Sequence, residues 1–133
     1  METMEARMVK LYARNNNHVA LHAIPGHFAT SHSHINFYID MTSLKTRANE
    51  AQEVAKSLAG DYVNSTVVDT IVCMDGCEVI GALLAERLSE QGIMMLNTHR
   101  TISVVTPEVH SNGQLIFRDN LQPMIKGKNI ILL

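Results

Sequence analysis

The most constraining feature of the sequence is the run Val67-Val-Asp-Thr-Ile-Val-Cys73, which is nearly continuous in β-branched residues. A strand of that kind keeps no polar face for water, so it reads as buried on both sides, as in a parallel sheet. It leads directly into Met74-Asp-Gly-Cys-Glu78. A segment follows whose Val79, Ile80, Leu83, Leu84 and Leu88 recur at helical spacing, with Gly92 placed to close it. Strand, glycine-containing turn and helix form the unit that sets ligands at the carboxyl ends of strands in open α/β sheets. The expected fold class is therefore α/β, with an open, mostly parallel sheet flanked by helices.

The rest of the chain is read around that unit. Met4, Met8, Leu11 and Tyr12 fall at i, i+4, i+7 and i+8, which suits a short amphipathic helix. Residues 18–24 alternate and favour a strand, with Pro25-Gly26 as a turn that stops it. A second extended piece covers 34–40, rich in Ile, Phe and Tyr. Thr42 or Ser43 is placed to cap one helix whose apolar face is Leu44, Ala48, Ala51, Ala55 and Leu58, ending at Gly60. Residues 93–96 are apolar but short, and 100–106 read as a strand broken off by Pro107. Ser111-Asn-Gly-Gln114 predicts a hairpin with a two-residue turn, and Leu115–Arg118 is its return strand. Lys126-Gly-Lys128 leads into the apolar Ile130-Ile-Leu-Leu133.

Composition narrows the classes of function. The chain has 133 residues, enough for one domain with a core, and 46% of them are apolar, so it is not a disordered chain. A net charge of −2 gives no footprint for nucleic acid. No apolar stretch approaches the ~20 residues of a membrane span, and the acidic N-terminus lacks the apolar core of a secretory signal. A cytoplasmic chain without a membrane or nucleic-acid partner is the expectation. Motifs of the P-loop, dinucleotide, nucleophile-elbow and zinc-protease types do not occur.

Chemistry concentrates at residues 73–78. A helix N-terminus offers free N–H groups to an anion. Asp75 and Glu78 are three apart and fit a capping box, in which case they occupy those donors; their charges oppose phosphate unless a divalent cation bridges. Cys73 and Cys77 are spaced as C-x-x-x-C without a second pair to complete a zinc site, so both read first as small buried hydrophobes. His32 and His34 share a strand face, yet no carboxylate or cysteine has supporting spacing. The adjacent Phe37 and Tyr38 point to opposite sides of a strand, so one can pack inward while the other offers a stacking face to a flat ligand, although the pattern alone favours core packing of both.

The order of these segments resembles a known family. Gly26-His-Phe-Ala-Thr-Ser-His-Ser-His-Ile-Asn-Phe-Tyr-Ile-Asp40 is similar to the N-terminal segment of orotate phosphoribosyltransferases, and the helix after it follows as in that family. Val68-Asp-Thr-Ile-Val-Cys-Met-Asp-Gly-Cys-Glu-Val-Ile-Gly-Ala-Leu-Leu-Ala85 resembles the family's strand, pyrophosphate-contacting loop and helix. The Asn112-Gly113 hairpin resembles its mobile catalytic hood, and Lys126-Gly-Lys-Asn-Ile-Ile-Leu-Leu133 resembles the lead-in to its phosphoribosyl-pyrophosphate motif.

The resemblance implies a type I phosphoribosyltransferase-like domain over 1–133, with N-terminal strands in 1–42, a core in 43–133 and a hood near 104–118. It places Leu133 as a truncation point before the phosphoribosyl-pyrophosphate loop, a short C-terminal edge strand being the alternative. It further implies Mg2+, phosphoribosyl pyrophosphate and a nucleobase such as orotate as partners, and a homodimer. By the same resemblance Asp75, Gly76, Cys77 and Glu78 face pyrophosphate, Phe37 and Tyr38 face the base, and Glu108 and His110 sit on the hood as catalytic candidates. The family's hood lysines have no counterpart in Thr106-Pro-Glu-Val-His110. That keeps a non-catalytic nucleotide-sensing or assembly module of the same fold as the alternative.

Overall fold

A computed structural model describes residues 3–63, 65–92 and 101–133. It is a mixed α/β structure with a small parallel sheet flanked by helices, an antiparallel sheet before it in the chain and an antiparallel hairpin between its last two strands.

The parallel sheet has the order β5-β4-β8. Strand β4, Thr70–Val72, lies in the middle and is buried at every position. Strands β5, Ser103–Val105, and β8, Ile130–Leu132, run parallel to it on either side. The ladder is shorter than the expected 67–73, but burial extends along the run, with Val68 and Cys73 at 1% and 0% exposure. Thr70 is the buried polar residue of the strand, and its hydroxyl donates to the Met124 carbonyl at 2.6 Å.

Helix α3, Glu78–Gly92, returns over the sheet, and helix α2, Ala48–Tyr62, packs against it. The contact surface of α2 is a stripe of Ala51, Ala55 and Ala59, all at 2% exposure or less, which lets the helices approach closely around Leu84 and Leu88. Gly81 of α3 rests on β4: a Cβ there would overlap Cys73 Sγ.

Where one helix was expected over 42–60 there are two. Helix α1 is Thr42–Thr46, and the extended Arg47 (φ −86°, ψ 120°) separates it from α2. The Thr46 hydroxyl donates back to the Thr42 carbonyl at 2.6 Å, a local bond that competes with helical continuation. Neither Thr42 nor Ser43 caps α1. The N-cap is Met41, which makes no side-chain cap bond, and the Thr42 N–H is instead accepted by Asp40 Oδ1 at 2.9 Å, while Ser43 Oγ is buried without a partner among the described residues. Ala48, expected in the core, is exposed at the new helix start, and α2 continues through Gly60 to Tyr62.

The N-terminal region departs most from expectation. Residues 5–7 form a single 3-10 turn, and Val9–Tyr12 is strand β1, not helix. It pairs antiparallel with β2, Ala20–Ala29, which pairs in turn with β3, His34–Asp40. A ladder partner supplies hydrogen bonds that a short isolated helix cannot retain. Pro25-Gly26 does not end β2. Pro25, which has no N–H, lies past the last β1 pair at Ala23, and the register with β3 slips between Pro25 and Phe28. The pair is thus absorbed as a bulge, one of the places where a sheet tolerates proline.

After β5, strands β6, Glu108–Val109, and β7, Leu115–Ile116, form the expected hairpin. Its turn is wider than two residues: the Gly113 N–H bonds the His110 carbonyl at 2.8 Å, and only Gly113 takes a positive φ, +80°. That is a three-residue loop with glycine in the left-handed position, a common alternative to the Asn-Gly two-residue turn. Residues 93–96 and Arg100 lie outside the described residues.

Candidate site at the carboxyl edge of the parallel sheet

Because β5, β4 and β8 are parallel, the segments that follow them leave from one edge. The Cys73 N–H bonds the Val105 carbonyl at 2.8 Å, and the Met74 N–H bonds the Leu133 carbonyl at 2.8 Å. The turn after β4, the β6–β7 hairpin after β5 and the end of β8 therefore start side by side. Of the residues singled out in the sequence, Asp75, Gly76, Cys77 and Glu78 lie on the first of these, and Glu108 and His110 on the second.

Residues 74–77 form a β-turn closed by the Cys77 N–H on the Met74 carbonyl at 3.0 Å. Gly76 has φ +82°, a value a side chain would strain and that a type II turn requires at this place. The Cys77 carbonyl accepts the Gly81 N–H at 2.9 Å, so Cys77 is the N-cap and Glu78 the first helical residue. This corrects the capping-box expectation, which needs Asp75 at the cap. Among the described residues, neither the Asp75 nor the Glu78 carboxylate has a hydrogen-bond partner. The N–H groups of Asp75 and Gly76 likewise have no acceptor there.

Two cations that sequence reasoning passed over belong to this edge or its hairpin. Lys45, on α1, lies over the turn: its Nζ and Cδ are 3.1 and 3.2 Å from where a Cβ on Gly76 would stand. Arg118, just past β7, donates through Nε to Glu108 Oε1 at 2.5 Å. Glu108 is thus engaged by a guanidinium, and the hairpin that lacks a lysine carries an arginine. Only the pairing across the hairpin reveals this, since the two residues are ten apart in the chain.

Cys73 and Cys77 differ in burial. Cys73 is fully buried, as expected, and Cys77 only partly. Burial, aided by the charge of Glu78 and by Cys77, pushes the Cys73 thiol up to about 11. Its protonated sulfur is a packing element under Gly81.

Phe37 and Tyr38 lie elsewhere, on β3, at 55% and 44% exposure. Neither is packed in the core, where the sequence pattern favours both. The Tyr38 ring lies against Phe28 with centroids 5.7 Å apart. His34 does not converge with His32; it meets His27 across the sheet, Nδ1 to Nε2 at 2.8 Å. Among the described residues no three potential metal-binding side chains gather.

A cavity of about 550 Å³ lies between residues 14–18 and α2, lined by groups that include Arg14, Asn16, Glu53 and Lys56. Within its wall Asn16 Nδ2 donates to Glu53 Oε2 at 3.0 Å and to Ser57 Oγ at 3.1 Å. The Asn16 bond holds the Glu53 carboxyl below its ordinary range against its desolvation.

Among the described residues no helix is long and apolar enough to cross a membrane. Comparison of the chain with protein-family models, curated proteins and solved structures finds no match.

Proposed function

We propose that this chain is a type I phosphoribosyltransferase-like protein, binding phosphoribosyl pyrophosphate at the carboxyl edge of the parallel sheet and transferring its ribosyl 5-phosphate to a nucleobase such as orotate. The observation that supports it is the common origin of the glycine turn at 74–77 and the β6–β7 hairpin at one sheet edge, the place where open α/β sheets bind ligands. In the reaction a ring nitrogen of the base bonds to the anomeric carbon, the carbon–oxygen bond to pyrophosphate breaks, and the base gives up its proton. Charge develops on the ribose and the leaving group, so positioning and electrostatics dominate.

Magnesium is bound typically by one or two carboxylates together with substrate phosphates. Asp75 and Glu78, both without hydrogen-bond partners among the described residues, fit that demand. Held there, the ion would supply positive charge to the pyrophosphate oxygens. The hairpin brings Glu108 and His110 toward the same edge, and the exposed rings of Phe37 and Tyr38 are the surfaces available to a base. The active form in this reading is a homodimer.

A second reading, a non-catalytic nucleotide-binding module, is favoured by one observation: Glu108 is already paired with Arg118. Calorimetric titration of magnesium and phosphoribosyl pyrophosphate, followed by a screen of bases for pyrophosphate release, separates them. Saturable binding with release supports the transferase, binding without release from any base supports the module, and no binding overturns both.

A further inference from the structure

We infer that the cavity between residues 14–18 and α2 is a second ligand site, built for a small phosphorylated sugar. It shares no residue with the sheet edge and does not rest on the reading of that edge.

The walls are fixed before any ligand arrives. Asn16 is bonded at both ends of its amide: Nδ2 donates to Glu53 Oε2 and to Ser57 Oγ, and Oδ1 accepts the His18 N–H at 3.0 Å. The Asn16 carbonyl accepts the Val19 N–H at 3.1 Å, so the segment before β2 is pinned to α2. Such walls spare a ligand the cost of ordering them. At about 550 Å³ the space has the size of small-molecule sites, ~300–1,000 Å³. Gly60 gives a second, independent indication. It lies inside α2 at the cavity wall, its φ is not positive, and a Cβ there would meet nothing within 4 Å. Glycine weakens a helix relative to alanine, and here neither the backbone nor the packing calls for it. A ligand seated against the helix backbone does.

The residues of the wall include no apolar or aliphatic side chain, which selects a hydrophilic ligand. Arg14 on one wall and Lys56 on the other are exposed, and neither makes a hydrogen bond or ion pair among the described residues. The Glu53 carboxylate is taken by Asn16. That bond first, and then the charges of Lys56, His18 and Arg87, favour its ionised form, so it stands in a positive field. On a chain of net charge −2, the cavity is locally electropositive. Two cations facing one space select a phosphate, which a guanidinium can grip through parallel N–H bonds. The side-chain amides of Asn15 and Asn17 also have no hydrogen-bond partners among the described residues. Each offers a donor and an acceptor side by side, and a sugar hydroxyl, itself both, completes that pattern. Phosphate at the cations and hydroxyls at the amides define the ligand class. The site binds and moves no proton.

The test is titration calorimetry of the full chain, without Mg2+, with ribose 5-phosphate, glucose 6-phosphate, glucose and inorganic phosphate, repeated on K56M and G60Q. The expected result is saturable binding of at least one sugar phosphate, with glucose and inorganic phosphate weaker by about tenfold or more. Lys56→Met should weaken the sugar phosphate about tenfold, the size of one charge-assisted hydrogen bond. Gly60→Gln puts a side chain into the cavity and should abolish binding. Its unfolding midpoint should equal or exceed that of the wild type, because glutamine is the better helix former. Absence of sugar-phosphate binding by the wild type overturns the proposal, as does equal affinity of wild type and G60Q. Inorganic phosphate binding as tightly as the sugar phosphates overturns the ligand class. A lowered midpoint in G60Q would show that packing needs the glycine. K56M then decides, and an affinity equal to that of the wild type overturns the proposal.

Discussion

The central strand of the parallel sheet with its helices, and the N-terminal antiparallel sheet, are built from similarly apolar residues and treat them differently. In the first, β4 is covered on both faces, and Ile71, Cys73, Leu84 and Leu88 are fully buried. In the second, Val9, Leu11, Phe37 and Ile39 are between 44% and 55% exposed, although all belong to paired strands. Stability therefore resides in the β4–α3–α2 layer, where close packing makes each methylene count. The antiparallel sheet is held mostly by its ladder. The proposed site stands on the rigid half, which suits a turn that must hold donors in fixed places.

The largest expected effect lies in that rigid half. Leu84→Ala should lose about 2–5 kcal/mol in denaturant unfolding, as for a fully buried leucine whose cavity cannot collapse. A loss below 1 kcal/mol would mean that the layer is loosely packed and would remove the contrast. Gly81→Ala comes next, at about 1–3 kcal/mol, because the new methyl would overlap Cys73 Sγ, with the side chains of Val104 and Ile71 close beside it. Combining it with Cys73→Ala should restore part of the loss, and strict additivity of the two changes would show that they do not touch.

The third prediction concerns pH. The folded Cys73 thiol keeps its proton up to about 11, whereas in the unfolded chain it titrates near 9.0. Between those values the unfolded state binds fewer protons, so stability should fall as pH rises through that window. The fall should vanish in Cys73→Ala, and a thiol reagent at mildly alkaline pH should label the partly exposed Cys77 well before Cys73.

Smaller effects mark the boundary between the halves. Asp40→Ala should cost about 0.5–1 kcal/mol, the net worth of the hydrogen bond that Asp40 Oδ1 accepts from the Thr42 N–H. The hydrogen bonds of Thr42, side chain first and then backbone, hold the Asp40 carboxyl below 3.8. Its contribution is present above that value and disappears as pH falls through the lowered one, so the difference between wild type and variant should close in strong acid. Phe37→Ser should change stability by no more than about 0.5 kcal/mol, as at an exposed position. A loss of 2 kcal/mol there would show that the antiparallel sheet has a covered face.

The sequence was most legible where burial is complete. The run at 67–73 and the spacing of Leu83, Leu84 and Leu88 predicted the parallel strand and its crossover helix because each pattern has a single low-energy burial. Asn112-Gly113 located the hairpin, since few residues take the left-handed conformation its loop needs. The candidate turn was legible for the same reason, from Gly76.

The N-terminus was misread because Met4, Met8 and Leu11 satisfy a helical period, while the pairing of Val9–Tyr12 with β2 outweighs that preference. Pro25-Gly26 was misread because a bulge and a turn use the same residues. The bond from the Thr42 N–H to Asp40, the engagement of Glu108 by Arg118, and the placement of Lys45 over Gly76 had no signal in local spacing. Local pattern is enough to determine which face of an element is buried and where the backbone needs glycine. Which charged side chains meet across elements was decided only by tertiary structure, because long polar side chains place their ends several bonds from the backbone positions that sequence periodicity describes.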